Sequence, residues 1–103
     1  MAAGSDRAAL AGLRAEIDAV DREIVAALAR RMGIVERVVA VKREHGIAAN
    51  LPDRVEEVAA KVRREAKEVG LPPDLAETVW RAMMAWVIAY EDTRLVPDQK
   101  SQT

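Results

Sequence analysis

Two cations stand on one apolar helical stripe of this sequence. Arg31 and Lys42 are eleven residues apart, with Val35 and Val38 between them at helical intervals. Eleven residues at about 100° each end about 20° past three full turns, so the two cations share a face about 16 Å apart. Buried charge is costly unless it is paired, and a guanidinium pairs well with a carboxylate. The pattern predicts a pocket for an anionic ligand such as a dicarboxylate.

One acid stands on a similar apolar stripe late in the chain. Around Glu91 the stripe spans an arc of about 60° and contains Trp80, Met84 and Val87. A carboxyl on such a stripe is expected in a core or a pocket. Two other interpretations stay open, namely long cationic stems that cover apolar surface while their heads reach water, and a structural ion pair of Glu91 with Arg31 or Lys42.

Three helices are predicted to position these residues, in one domain over residues 5–95. Ser5 or Asp6 can cap the first helix, which runs to about Glu44 and breaks at Gly46. The second begins near Pro52 and ends at Gly70, and the third follows Pro72 and runs to about Leu95. Residues 96–103 form a polar tail. The apolar face predicted for the second helix consists of Val55, Val58, Val62, Ala66 and Val69.

The first helix is too long for the other two to cover. Forty residues span about 60 Å, roughly twice the length of either partner helix. Its apolar seam contains Leu10, Leu13, Ile17, Val20, Ile24, Leu28, Val35 and Val38. A second copy of the chain, related by a two-fold axis, would cover this seam, which predicts an intertwined, obligate homodimer. The alternative is a helix that folds back at Gly33, which is a weak breaker.

Composition excludes several classes of function. The chain has 103 residues, no Cys and one His, so neither a disulfide nor a metal site built from Cys or several His residues is expected. A net charge of −1 argues against binding nucleic acid through bulk charge. The longest uncharged stretch of the third helix is too short to span a bilayer, and no targeting segment is visible, so we expect a cytoplasmic protein without a membrane partner.

The charged positions also match a known family. Residues 8–95 resemble the all-helical chorismate mutases through Leu13-Arg14-Ala15-Glu16-Ile17-Asp18, Asp21, Arg30-Arg31-Met32 and Val41-Lys42. The resemblance implies a three-helix protomer, intertwined as a homodimer with two active sites. It also implies a unimolecular Claisen rearrangement of chorismate to prephenate, without a cofactor or a covalent intermediate. Such a reaction depends on orientation and on preorganised charge, which fixed cations provide.

The family's site residues carry over to four cations of this chain. By resemblance, Arg14 is the carboxylate-binding arginine that the partner subunit lends, which suits the angle of about 100° between Arg14 and Arg31. Arg31 matches the carboxylate clamp of the home subunit. Lys42 matches the lysine that donates to the ether oxygen and to a carboxylate, and Arg54 matches the arginine at the start of the second helix.

Three positions depart from the family pattern. Val55 replaces a Glu that contacts the ring hydroxyl, Val87 replaces a Ser, and Glu91 replaces the Gln that donates to the ether oxygen. Two relatives resemble the chain at some of these positions. Isochorismate pyruvate lyase resembles Trp86-Val87-Ile88-Ala89, and 4-amino-4-deoxychorismate mutase resembles His45-Gly46-Ile47, Pro52-Asp53-Arg54-Val55 and Glu91-Asp92.

The resulting prediction is a chorismate mutase-type isomerase, with Lys42 and Glu91 as catalytic residues. Arg14, Arg31, Arg54, Val55 and Val87 are predicted to bind a dicarboxylate substrate. The reactions of the two relatives are alternatives within the family. A helical dimerisation or regulatory module is the alternative that is not an enzyme.

Overall fold

The computed structural model describes residues 2–96 and contains three α-helices. They are α1 (Ala2–His45), α2 (Pro52–Val69) and α3 (Pro73–Leu95), and residues 2–96 contain no β-strand. The predicted all-α class and very long N-terminal helix are confirmed. None of the helices in this range is long and apolar enough to cross a membrane. Of the predicted polar tail, residues 97–103 lie outside the described range.

The start of α1 differs from the prediction. The helix begins at Ala2, so Ser5 and Asp6 lie inside it and neither is its N-cap. Ala2 and Ala3 allow this extension because alanine has the highest intrinsic helix propensity. The alternative of a fold-back at Gly33 is wrong, because α1 runs through Gly33 to His45 without a break.

The described chain divides into two compact units, one ending at Glu36 and one beginning at Arg37. Within the first unit, α1 carries an exposed apolar seam. Its side chains are between 39% and 58% exposed and comprise Leu10, Leu13, Ile17, Val20, Ile24 and Leu28. A single helix gains most of its stability from packing its apolar face, so this seam lacks the contacts that would stabilise it.

The second unit has its core between α2 and α3. The buried cluster consists of Val58, Ala59, Val62, Ala66, Ala76 and Met84, and Val55 and Trp80 pack against it. Four of the five residues predicted for the apolar face of α2 therefore contact this core. Val69, the fifth, is 79% exposed and does not contact this core. Val69 is the last residue of α2, and the chain turns at Gly70 before α3 begins.

Two glycines set the ends of α1 and α2. Gly46 and Gly70 have φ values of 65° and 78°, in the left-handed region where a Cβ would be strained. Beyond Gly46, the Ile47 amide donates to the Lys42 carbonyl at 2.8 Å. This turn redirects the chain from the end of α1 into the loop that precedes α2.

Candidate functional site

A buried ion pair joins the end of α1 to α3. The Lys42 ammonium Nζ lies 2.8 Å from Glu91 Oε1 and donates a second hydrogen bond, at 2.9 Å, to the Ala49 carbonyl. The Lys42 side chain is 12% exposed and the Glu91 side chain 7%. The predicted burial of Glu91 is confirmed. Of the two ion pairs left open by the sequence, Lys42–Glu91 is the one that forms.

Local structure explains why these groups meet. Lys42 lies in the last turn of α1, and the left-handed Gly46 turns the following loop so that the buried Ala49 presents its carbonyl to the ammonium. On α3, Met84, Val87 and Glu91 are all buried, which is the stripe that the helical spacing predicts.

The ion pair leaves Lys42 with hydrogen-bonding capacity for a ligand. An ammonium has three N–H donors, and Lys42 makes two hydrogen bonds to described residues. Glu91 is the acceptor of the pair, since its Oε1 receives the hydrogen bond from the ammonium at 2.8 Å. The arrangement holds a cation in a mostly dry place, where it can bind a carboxylate or stabilise a developing negative charge. Among residues 2–96, no group of three or more His, Cys, Asp or Glu side chains could hold a metal ion.

Val55 lies at a cavity between α2 and α3 of about 280 Å³. Its apolar lining includes Val55, Met84 and Ile88. At the same cavity, Arg81 makes a bidentate pair with Glu56, with N···O distances of 2.9 and 3.0 Å. Neither Arg81 nor Glu56 is among the site residues predicted from the sequence. These two residues are an opposite-charge pair on facing sides of α2 and α3. The sequence does not predict such a pair unless it is known which faces of the two helices meet.

Val87 and Arg54 occupy contrasting environments. Val87 is buried on α3, one turn before Glu91. Arg54 stands in the first turn of α2, where it pairs with Glu57 three residues later. Both side chains of this pair are more than half exposed, so the pair is a weak constraint and Arg54 can reorient towards a ligand.

Arg14 and Arg31 belong to the unit that ends at Glu36. Arg14 is exposed and Arg31 half-buried. Neither guanidinium makes a hydrogen bond or an ion pair with any residue of the described range. Their charges are therefore available to an anionic ligand.

Two further groups near Lys42 were not predicted from the sequence. One is the Ala49 carbonyl, a backbone acceptor that no residue type announces. The other is Arg43, whose guanidinium Nη2 donates to the Arg94 carbonyl at the end of α3. Both residues also line an open cleft of about 390 Å³ with Lys42, Asp92 and Leu95.

Comparisons with known proteins agree with this chemistry. Residues 13–92 match the family model described as chorismate mutase type II. A T-protein of Enterobacter agglomerans is 40% identical over 77 residues, which cover 75% of this chain and 21% of that protein. An isochorismate pyruvate lyase of Pseudomonas aeruginosa is 34% identical over 82% of each chain. A 4-amino-4-deoxychorismate mutase of Streptomyces pristinaespiralis is 31% identical, over 81% of this chain and 64% of that protein. The chain spans about a fifth of the length of the T-proteins that it matches.

Proposed function

The chain belongs to the chorismate mutase type II family, and on that basis we propose that it catalyses the Claisen rearrangement of chorismate, or of a close analogue. In this unimolecular step, the bond from the ether oxygen to the ring breaks while a carbon–carbon bond forms. Negative charge grows on the ether oxygen as the bond breaks. A catalyst must hold the substrate folded and place a donor at that oxygen.

The observation that carries the proposal is the ammonium of Lys42, whose side chain is only 12% exposed. Glu91 and the Ala49 carbonyl hold it before any substrate arrives, and its third N–H has no partner among the described residues and can donate to a ligand. In the proposed reaction, Lys42 donates to the ether oxygen and to a substrate carboxylate. Because its position is already set by two hydrogen bonds, little reorganisation accompanies charge development.

Three arginines complete the proposed site. Arg31 and Arg54 bind the substrate carboxylates of the home subunit's site, and Arg14 serves the site of the partner subunit. The guanidiniums of Arg14 and Arg31 have no partner among residues 2–96, which supports this role, because such a cation can make a bidentate contact with a carboxylate. A dicarboxylate is accordingly the proposed ligand class.

An intertwined homodimer is part of the proposal. The exposed seam of α1 from Leu10 to Leu28 supports it, because a second copy of the chain would remove these side chains from water. A cytoplasmic location stays a prediction.

A specific observation favours 4-amino-4-deoxychorismate as a second candidate substrate. Glu91 is a buried carboxylate on the same stripe as Val87, and its second oxygen Oε2 accepts no hydrogen bond from a described residue. A ring ammonium would pair with such a carboxylate, whereas a hydroxyl would gain less from it. Val55, in turn, offers no acceptor to a ring hydroxyl.

Product analysis with three substrates tests the proposal. Purified protein is incubated separately with chorismate, isochorismate and 4-amino-4-deoxychorismate, and the products are identified by liquid chromatography and mass spectrometry. We expect rearrangement of chorismate or of the amino analogue, and loss of that activity in Arg31→Ala with the fold retained. Release of pyruvate from isochorismate would indicate the lyase reaction. A folded protein that converts none of the three would contradict the proposal and favour a dimerisation or regulatory module.

A further inference from the structure

Arg43 ties the end of α1 to the end of α3. Its guanidinium Nη2 donates to the backbone carbonyl of Arg94. Arg94 lies in the last turn of α3, where backbone carbonyls lack partners within the helix. Glu91 is three residues earlier, about one turn away. The Arg43 bond therefore acts on the turn of α3 next to the carboxylate that holds Lys42.

The geometry of the Lys42–Glu91 hydrogen bond depends on the separation between the ends of α1 and α3. Lys42 and Glu91 meet at the ends of two flexible side chains, so the position of the ammonium depends on how far α3 stands from the end of α1. Arg43 is the next residue along α1, and its bond reaches backbone rather than another side chain. A bond to backbone constrains the helix itself, so it limits the separation that the Lys42–Glu91 pair must bridge.

We propose that Arg43 is a positioning residue, which places the Lys42 ammonium by anchoring the end of α3 through the Arg94 carbonyl. The inference rests on the proposed function, because it assigns Arg43 a role in the reaction that Lys42 would promote. Arg43 is exposed and its charge faces solvent. An exposed hydrogen bond contributes little to stability, whereas a displacement of about 1 Å at a reacting group lowers rates by up to about a hundredfold.

The test compares Arg43→Met with Arg43→Lys and with Arg64→Met. Met keeps an unbranched stem and removes every donor, while Lys keeps the positive charge and an ammonium that can donate to the Arg94 carbonyl. Arg64 is an exposed arginine of α2 that makes no hydrogen bond or ion pair with a described residue, so Arg64→Met loses the same charge without losing a contact. Steady-state kinetics use the substrate that the wild type converts. We expect Arg43→Met to lower kcat about tenfold with a smaller change in KM, Arg43→Lys to recover part of the loss, and Arg64→Met to resemble the wild type.

A second measurement does not require activity. The chain has four lysines, Lys42, Lys61, Lys67 and Lys100, and the Lys42 side chain is 12% exposed with two hydrogen bonds. Proton–nitrogen NMR of lysine ammonium groups should therefore show a slowly exchanging Lys42 signal, assigned by its loss in Lys42→Met. Arg43→Met should shift or broaden this signal, and Arg64→Met should leave it unchanged.

Each measurement can overturn the inference. An unchanged Lys42 signal in Arg43→Met means that Arg43 does not position the ammonium, whatever happens to kcat. A displaced signal with kcat within about twofold of the wild type means that the displacement is irrelevant to the reaction. If the wild type converts none of the three substrates, the proposed function fails and the catalytic role assigned to Arg43 fails with it, while the signal still reports whether Arg43 holds Lys42.

Discussion

Glu91 places a carboxylate close to the ammonium proposed to act on the ether oxygen. Its Oε1 accepts a hydrogen bond from Lys42 at 2.8 Å, whereas the Gln of the family pattern donates. The negative charge of Glu91 also reduces the positive potential that Lys42 would present to the substrate. In the proposed site, the residue at this position would set the positive potential around Lys42 and the ring substituent that fits.

Glu91→Gln should change the substrate preference. The amide still accepts from Lys42 but adds a donor and removes a negative charge, so we expect kcat/KM for chorismate to rise about tenfold, equivalent to about 1.4 kcal/mol. The same change should weaken a substrate with a ring ammonium. Parallel assays with both substrates measure the shift, and Glu91→Met is the control that removes donor and acceptor together. Equal effects of Gln and Met on both substrates would return Glu91 to a purely structural role.

Val55→Glu should restore an acceptor for a ring hydroxyl. Leaving a buried hydroxyl without its partner costs about 1–3 kcal/mol, so the variant should improve chorismate kcat/KM by about tenfold or more. Val55 is half-buried against the core, and a lower melting temperature is expected as well. Val55→Met has a similar length without the acceptor and serves as the control. A folded Val55→Glu dimer with less chorismate activity than Val55→Met would place Val55 away from the ring hydroxyl.

Ion pairs on the surface join α2 to α3 beside the core. Arg63 contacts Asp74 and Glu77, and Arg81 contacts Glu56 and Glu77. Hydrogen bonds from Arg81 hold the pKa of Glu56 and of Glu77 below the ordinary value of 4.5, and Arg63 adds to the effect on Glu77. These pairs face solvent, so each contributes modestly, and they add to the core contacts between the two helices that carry Val55 and Glu91.

Acid should weaken this helix pair. Because the pKa of both carboxyls is lowered by folding, their contribution to stability is present above pH 4.5 and is lost as the pH falls through the folded-state pKa. Arg81→Met should lower the melting temperature near neutral pH, and its difference from the wild type should shrink as the pH falls below 4.5 through the folded-state pKa of the two carboxyls. Thermal melts across this range measure the difference, with Arg64→Met as the charge-matched control. A difference that stays constant with pH would show that Arg81 acts through packing alone.

The assembly proposed for the whole molecule follows from the exposed apolar seam of α1. Its apolar side chains from Leu10 to Leu28 are exposed along the unit that ends at Glu36. In the proposed homodimer, each active site lies at the subunit interface. One subunit contributes Lys42 to the site, and its partner contributes Arg14. Stability and activity should therefore both depend on protein concentration.

Subunit mixing tests the sharing of the site. Arg14→Ala and Arg31→Ala homodimers should each be nearly inactive, because each lacks one carboxylate contact in both sites. After exchange, one site of each heterodimer keeps both arginines, so activity should recover to about half of the wild-type value per heterodimer. Analytical ultracentrifugation checks that both variants are dimers. Absence of recovery despite subunit exchange would place the two arginines in one subunit's site or outside it.

Most helix boundaries, the buried face of α3 and the family could be predicted from the sequence. The helix ends at Gly46, Gly70 and Pro73 follow from local backbone preferences, and helical periodicity predicts the buried face of Met84, Val87 and Glu91. The family could be predicted as well, because the cations that resemble its site residues stand at characteristic spacings along α1. These features depend on short-range geometry, which a linear pattern records.

Tertiary structure decided the partners of these residues. Whether Lys42 or Arg31 pairs with Glu91 depends on which turn of α1 lies against α3, and no spacing within one helix contains that distance. The Ala49 carbonyl that holds Lys42 and the Arg94 carbonyl that holds Arg43 are backbone groups, which are identical at every position of the sequence. Val69 shows the same limit on the apolar side, since it continues the face of α2 but lies beyond the reach of α3. Periodicity determines which side of a helix is apolar, while the path of the chain between helices determines what that side meets.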